Sequence, residues 1–477
     1  MENFIKRSLG LLFSIIVLTG CMAPVPVPPT DTPIPTAAPV RGAVGIGDPY
    51  YPTLGNGGYD VQSYTITMDV DPSANTVKAS TTITANATEF ISSFNLDFQG
   101  LTVDSITVND VDAKFARSAD ELVITPGAAL EENKSFTTVV RYHGTPITIT
   151  SGGLSGMGWS HGDSGAINVW GEPDAASTWF PGNNHPRDKA TYRFEITVPD
   201  PWMVAATGTL KETNPDDGKT TYIWEMDKPM ATYLASISIN QYDLDMQKGP
   251  NGINIRNYFP KDFPNKDRTQ FDTLSAMIDF FDDLFGPYPF KEYGVVIAGK
   301  DGLCADVQIA LETQTMSIHC PSVVMTSEQV AVHEFAHMWF GDSVSLENWK
   351  DIWLKEGFAT YASWLWHSKN DPAALKRTAI YNKNNFIDTG YSVAEPSPEN
   401  LYTGESYTGG ALILYALQQE VGDDTFFKIL QTFARQYQYG NAGTDEFIAV
   451  AEEVSGKDLT AFFDAWLFSK QMPELPE

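Results

Sequence analysis

The spacing of apolar residues changes once along this 477-residue chain, and the change limits what the chain can fold into. In the first half, short runs such as 64–70 and 192–198 alternate apolar and polar residues, a pattern typical of strands with one buried face. In the second half, Leu274, Ile278 and Phe281 recur at helical spacing until a Gly-Pro pair ends the run. We therefore predict an all-β domain followed by a mostly helical domain.

Composition and turn residues divide the chain into four predicted segments. Residues 1–21 are predicted to be a signal peptide and residues 22–45 a linker, because proline-rich sequence stays extended and does not pack a core. Residues 46–247 are assigned to the β domain and residues 248–477 to the helical domain. The boundary lies at a polar stretch that ends in Gly249-Pro250.

The charge of the chain excludes one class of partner. Asp and Glu number 60 against 31 Lys and Arg, which gives a net charge of -29. A surface of this sign repels the phosphates of nucleic acids, so we predict no nucleic-acid partner. The acidity fits either a solvated surface that keeps an exported protein soluble or a field that attracts cationic peptide N-termini.

Two histidines one helical turn apart, His333 and His337, form the pattern His-Glu-x-x-His. Residues four apart share a face of a helix, so both imidazoles can reach one ion. Zinc in hydrolases is commonly held by His, His and Glu with a fourth position open for water, and Glu356 in the next predicted helix supplies the third donor. Glu334 is not needed as a ligand and is predicted to be the general base. The sequence thus predicts one zinc ion per chain.

The N-terminus has the features of an export signal. Lys6 and Arg7 precede an apolar run, 9–17, that is too short to span a bilayer as a helix. The segment that follows, Leu-Thr-Gly-Cys at 18–21, resembles the lipobox of bacterial lipoproteins. This resemblance implies an exported protein that is lipid-anchored through Cys21 on the outer face of the cell membrane. A plain cleaved signal peptide is the alternative.

Two further cysteines, Cys304 and Cys320, remain in the mature chain. Disulfides persist outside the cytoplasm, so these residues are candidates for a bridge. The sequence gives no distance between them, and two unpaired buried thiols stay an equal alternative.

The metal motif and the segment 353–359, Trp-Leu-Lys-Glu-Gly-Phe-Ala, together resemble the zinc signature of the aminopeptidase N and leukotriene hydrolase family of gluzincins. Segments 179–181 and 285–290 are also similar to segments of that family. The resemblance implies a short two-domain form, in which a saddle-like β-sheet domain precedes a thermolysin-like zinc peptidase domain.

The resemblance also implies which residues bind the substrate. The run from Ile309 to Thr313 matches the family's Gly-Ala-Met-Glu-Asn strand, so Glu312 is expected to bind the α-ammonium and Ala310 to contact the substrate. Glu172 matches the family's second amine-binding acid. Ile309 and Thr313 replace Gly and Asn, which changes the expected backbone contacts and subsite shape.

Tyr407 heads a Tyr-x-x-Gly pattern that is similar to the family's oxyanion-stabilising tyrosine, a context that Tyr402 and Tyr415 lack. We therefore expect a zinc aminopeptidase that hydrolyses N-terminal residues from peptides outside the cytoplasm. The alternatives are an endopeptidase or epoxide hydrolase on the same zinc frame, or a non-catalytic envelope lipoprotein that binds peptides. The preferred N-terminal residue and the oligomeric state are left open.

Overall fold

A computed structural model describes residues 38–324, 328–387 and 389–476. The predicted signal peptide, the lipid-bearing Cys21 and most of the predicted linker lie outside the described residues. Within the described ranges, no helix is both long and apolar enough to cross a membrane.

Strands are the main regular elements of the first half. In chain order they are β1 (Val40–Arg41), β2 (Tyr59–Asp71), β3 (Thr76–Ala87), β4 (Ile91–Asp97), β5 (Thr102–Val108), β6 (Val111–Asp112), β7 (Lys114–Ser118), β8 (Glu121–Thr125), β9 (Ser135–Gly144), β10 (Thr148–Ser151), β11 (Leu154–His161), β12 (Ile167–Trp170), β13 (Ala190–Pro199), β14 (Met203–Ala206), β15 (Thr209–Asp216), β16 (Lys219–Met230), β17 (Ile237–Asn240) and β18 (Tyr242–Lys248).

The largest sheet has the order β15-β16-β13-β2-β3-β9-β5-β6. Its central strands β2 and β13 pair in parallel, and β2 pairs antiparallel with β3. Ile66, Met68 and Val70 of β2 are buried, whereas the residues between them reach the surface, because successive side chains of a strand point to opposite faces. The predicted alternation therefore gives this sheet its core.

A second sheet of the β domain has the order β10-β11-β12-β17-β14 and leads to a predicted site residue. Its strand β12 ends at Trp170, and Glu172 follows two residues later. Trp170 is fully buried and Glu172 is 4% exposed, so the end of this strand lies inside the molecule. The sheet thus holds one of the predicted substrate-binding acids in a buried position.

The second half contains the remaining strands and the long helices. The strands are β19 (Asn254–Pro260), β20 (Glu292–Tyr293), β21 (Val295–Ile297), β22 (Ala310–Leu311), β23 (Ser317–His319), β24 (Ser345–Leu346) and β25 (Asn441–Ala442). The helices are α1 (Asn265–Arg268), α2 (Leu274–Phe285), α3 (Leu303–Asp306), α4 (Pro321–Val324), α5 (Glu328–Ala336), α6 (Trp353–Ser368), α7 (Pro372–Asn384), α8 (Gly410–Val421), α9 (Asp423–Gln436), α10 (Thr444–Ser455) and α11 (Thr460–Phe463).

Helix α2 shows why the helical spacing in the sequence was informative. Leu274, Ile278 and Phe281 are fully buried on one face of this helix. The helix ends at Phe285 because Gly286 has a φ of +92°, a left-handed conformation that glycine adopts without strain. The predicted fold class, a β domain followed by a mostly helical domain, is confirmed.

The sheet in the second half has the order β18-β19-β21-β23-β22, so β18 and β22 are its edge strands. Strand β18 ends at Lys248, next to the predicted domain boundary, but it pairs with β19 rather than with the β domain. The other edge is β22, which pairs antiparallel with β23 and leads directly into Glu312.

A buried carboxylate of the β domain is hydrogen-bonded to the helical domain. Asp48 Oδ2 accepts from His185 Nε2 of the β domain at 3.0 Å and from the backbone N–H of Trp349, just before α6, at 2.8 Å. Burial alone would raise the pKa of Asp48, but these hydrogen bonds lower it to about 2. Asp48 is therefore ionised at neutral pH and connects the β domain to the start of α6.

The end of the predicted linker differs in the structure. Val40 and Arg41 form β1, which pairs in parallel with β4, and the Val40 N–H donates to the Phe90 carbonyl at 2.9 Å. The sequence placed these residues in the linker because the run before them is proline-rich. Their backbone is instead part of the β domain.

Candidate metal centre

Three donor atoms converge where α5 meets α6. His333 Nε2 lies 3.1 Å from His337 Nε2 and 3.0 Å from Glu356 Oε2. His337 Nε2 lies 3.5 Å from the same carboxylate oxygen. His333 belongs to α5, His337 follows its last residue, and Glu356 is in the first turn of α6. The structure thus brings the three predicted ligands together.

The two imidazoles present lone pairs to this centre. His337 Nδ1 lies 3.0 Å from the Phe340 carbonyl oxygen, which can only accept, so Nδ1 carries the proton and Nε2 is left bare. Burial lowers the pKa of His333, which favours its neutral form as well. Two imidazole nitrogens beside a carboxylate oxygen form a set of donor atoms that suits a cation.

The spacing of these atoms fits zinc in particular. Bonds of about 2.0–2.1 Å in a tetrahedral site place neighbouring ligand atoms about 3.3 Å apart. The observed separations of 3.0, 3.1 and 3.5 Å are close to that value. Two imidazole nitrogens and one carboxylate oxygen are also a ligand set found in catalytic zinc sites. Catalytic sites keep a fourth position open, whereas structural sites fill it with a protein ligand.

Glu334 lies beside the metal donors without being one of the three. It is on α5 between the two histidines, lines the same cavity and is 6% exposed. Burial, together with the nearby carboxylates of Glu312 and Glu356, raises its pKa well above the usual value. A carboxylate with a raised proton affinity at this position is suited to accept a proton.

A second set of carboxylates adjoins the metal donors. Oxygen atoms of Glu172, Glu312 and Glu356 lie within 4.8 Å of one another. Glu172 comes from the β domain and Glu312 follows β22, while Ala310 in β22 lines the cavity. The structure therefore places all three predicted substrate-binding residues at the metal centre.

Tyr407 packs against the ring of His333 and lines the same cavity. It is in a π-helical turn, Glu405–Gly409, that leads into α8, and its ring stacks on His333 with centroids 5.7 Å apart. Burial and the Glu356 carboxylate raise the pKa of Tyr407 well above its usual value. Its hydroxyl stays protonated at neutral pH and can donate a hydrogen bond.

These groups share one cavity of about 500 Å³. Its polar end is formed by the metal donors, Glu334, Glu172, Glu312 and Tyr407. The rest of its wall is mainly apolar, with a few polar side chains such as Gln329 and Ser363; its apolar members include Leu154, Met157, Val307, Ile309, Leu311 and Val330. A cavity with one apolar end and a few convergent polar groups is typical of a ligand site.

Models of protein families match both halves of the chain. The Peptidase family M1 domain matches residues 269–466, and the Peptidase M1 N-terminal domain matches residues 60–234. The first match contains the metal donors, and the second contains Glu172. The chain belongs to peptidase family M1.

Several known proteins are similar to this M1 peptidase. Aminopeptidase N of Streptomyces lividans is 29% identical over 326 residues, which cover 62% of this chain and 37% of the relative. Glutamyl aminopeptidase of Homo sapiens is 26% identical over 326 residues, which cover 64% of this chain and 34% of the relative. The aligned part of the chain spans little more than a third of the length of either relative.

Among solved structures, an M1 zinc metallopeptidase from Deinococcus radiodurans superimposes with a TM-score of 0.83 at 27% identity. The match covers 91% of this chain and 99% of that one. A mutant of the same enzyme, bound to the substrate Tyr-Ser-Ala, gives the same TM-score. The predicted family, the peptidase class and zinc as the cofactor are confirmed.

Two residues of the site in this M1 peptidase, Lys355 and Tyr402, are not predicted from the sequence. Lys355 is fully buried and forms ion pairs with Glu172, Glu312 and Glu356. The signal in the sequence is a lysine directly before the proposed metal donor Glu356, in a helix that begins with the apolar residues Trp353 and Leu354. Tyr402 lines the cavity with Tyr407, and its buried hydroxyl has no hydrogen-bond partner among the described residues. Tyr402 had been set aside because it lacks the motif that follows Tyr407.

A disulfide joins Cys304 to Cys320, with the Cα atoms 5.3 Å apart. The sequence alone leaves this pairing open. The bridge closes the loop that carries Ala310 and Glu312, and the Cys320 N–H also donates to the Ile309 carbonyl at 2.9 Å. The edge strand β22 is therefore held at its base by a covalent bond and a hydrogen bond.

Proposed function

We propose that this M1 peptidase is a zinc-dependent aminopeptidase that removes N-terminal residues from peptides outside the cytoplasm. The observation that carries the proposal is the carboxylate cluster next to the metal donors. An α-ammonium held by Glu172 and Glu312 lies about one residue from the centre formed by His333, His337 and Glu356. An internal peptide bond has no cation at this position, so the cluster favours a free N-terminus.

Zinc bound by the three donors supplies Lewis acidity that activates water and polarises a carbonyl. Glu334 takes the proton from the attacking water and passes it to the leaving amine, which its position in the cavity and its raised pKa support. The Tyr407 hydroxyl donates a hydrogen bond to the oxygen that becomes negative in the transition state. Glu172 and Glu312 hold the substrate's α-ammonium in register with these groups.

The apolar wall supports a preference for substrates with an apolar first side chain. Leucine or methionine buries its side chain against Met157, Ile309 and Val330 and gains roughly 25 cal/mol for each Å² removed from water. An acidic side chain gains no such contact and is repelled by the cluster of glutamates.

The test is hydrolysis of paired substrates by purified protein without residues 1–21. Each aminoacyl p-nitroanilide, with leucine, methionine, glutamate or lysine, is assayed beside its N-acetylated form, before and after chelation. We expect release from the free amines alone, fastest for leucine and methionine, lost with the chelator and restored by zinc.

The same assay, extended with an epoxide substrate and a peptide-binding measurement, separates the alternatives. Equal cleavage of the acetylated substrates would identify an endopeptidase. Cleavage of neither set, with binding of the peptides retained, would identify a peptide-binding lipoprotein. Hydrolysis of an epoxide in place of any amide would identify an epoxide hydrolase.

The extracytoplasmic part of the proposal is supported by the sequence of residues 1–21 and by the disulfide, since disulfides persist in oxidising compartments. We propose that the protein is anchored by lipid on Cys21. Expressed in a bacterial host, the full chain is expected in the membrane fraction and Cys21→Ser in the soluble fraction. Equal partition of both proteins would exclude the anchor.

A further inference from the structure

One ammonium group holds three carboxylates of the site together. Lys355 Nζ lies 2.6 Å from Glu172 Oε1, 2.7 Å from Glu312 Oε1 and 2.5 Å from Glu356 Oε1. The first two residues are the proposed amine-binding acids, and the third is a proposed metal donor through its other oxygen. Lys355 is therefore in contact with both functional parts of the site at once.

The ammonium approaches these carboxylates from the protein side. The Lys355 side chain has no exposed surface, and Lys355 is absent from the residues that line the cavity, whereas Glu172, Glu312 and Glu356 all line it. Behind it the Tyr233 ring centroid lies 6.0 Å from Nζ. A substrate can thus reach the cavity side of the glutamates while Lys355 stays in place.

The charges explain why the cluster needs an internal cation. Three carboxylates within 4.8 Å of one another repel strongly in a buried environment, and side chains under such repulsion move apart. The Lys355 ammonium offsets this repulsion with one contact to each carboxylate. A group that touches all three also sets their mutual distances.

We propose that Lys355 is a positioning residue that fixes the amine-binding carboxylates relative to the metal. The inference rests on the proposed function, because the distance matters only if Glu172 and Glu312 bind an α-ammonium. By holding both acids to the ligand Glu356, Lys355 aligns the substrate's first carbonyl with the metal centre when its amine is bound. Its effect is therefore on substrates that carry the amine.

The test compares two ligands that differ only in the amine. Leucine hydroxamate has an α-ammonium and a metal-binding group, and 4-methylpentanohydroxamate has the metal-binding group alone. Calorimetry on zinc-loaded protein gives the ratio of their dissociation constants for the wild type and for Lys355→Met. We expect this ratio to fall by about 10²-fold in the variant, with the affinity for the desamino ligand nearly unchanged, because displaced acids no longer meet the amine.

The zinc content of each protein is measured, and Lys350→Met serves as the matched control for Lys355→Met. Lys350→Met removes the same charge five positions earlier, outside the cluster, and is expected to keep the wild-type ratio. Wild-type protein that binds both hydroxamates equally would overturn the proposed function itself. Wild-type protein that discriminates, with an unchanged ratio in zinc-loaded Lys355→Met, would overturn only the role of Lys355.

Two more variants cover the case in which Lys355→Met does not fold. Lys355→Gln keeps a hydrogen-bond donor without the charge, and Lys355→Arg keeps the charge. We expect the ligand ratio to fall in Lys355→Gln and to be retained better in Lys355→Arg, together with a higher KM for leucine p-nitroanilide in Lys355→Gln. A ligand ratio that is retained in Lys355→Gln but falls in Lys355→Arg would contradict the proposal, because the ratio would then not depend on the positive charge at position 355.

Discussion

Replacing Glu334 with glutamine is expected to lower kcat by about 10⁴-fold while zinc remains bound. The amide keeps the size of the side chain and cannot accept a proton from the attacking water. The three metal donors are untouched, because Glu334 is not among the atoms that converge with Glu356 Oε2. Activity on leucine p-nitroanilide and zinc content by mass spectrometry are the two measurements.

Glu328→Gln is the matched control for this variant. Glu328 is in the same helix as Glu334 but does not line the cavity. The Glu328→Gln substitution also replaces a carboxylate with an amide, and we expect near-normal turnover in this variant. Substantial activity in Glu334→Gln, at full zinc occupancy, would show that another group acts as the base.

The second large effect is expected from His337→Ala, which should lose both zinc and activity. With only His333 and Glu356 left, the site offers two donors where catalytic zinc sites have three. We expect zinc well below one per chain after dialysis and kcat lower by about 10³-fold or more, because the Lewis acid supplies several kcal/mol of transition-state stabilisation. Added zinc should restore little.

His367→Ala is the control for the loss of an imidazole. His367 is at the other end of α6, exposed and outside the metal centre. It should keep zinc and turnover. Full zinc occupancy in folded His337→Ala would contradict the ligand assignment, and the contrast with Glu334→Gln separates metal binding from proton transfer.

The convergence of the three proposed metal ligands could be predicted from the sequence because the geometry that joins them is mostly local. His333 and His337 are held by one helix and the turn after it, so spacing alone indicates that they share a side. Glu356 required one further step, a second helix packed against the first. The β alternation of β2 and the helical spacing of α2 were readable for the same reason, since each depends on a single element.

Lys355 could not be interpreted from the sequence because its partners are distant along the chain. Glu172 comes from the β domain and Glu312 follows the edge strand β22, so only the packed structure shows one ammonium between them. Taken alone, a lysine before a metal ligand looks like any surface charge. The pairing of Cys304 with Cys320 was undetermined for the same reason, since sequence gives no Cα separation.

The origin of Glu172 limits how this enzyme can be divided. The helical domain contains every proposed metal donor. One of the two proposed amine-binding acids, Glu172, instead follows strand β12 of the β domain. The helical domain on its own would still have a hydrolytic centre, with a weaker means of telling a peptide's end from its middle. If the proposed role of Glu172 is correct, exopeptidase selectivity is a property of the assembled pair of domains, and exchanging the β domain between relatives would exchange part of that selectivity with it.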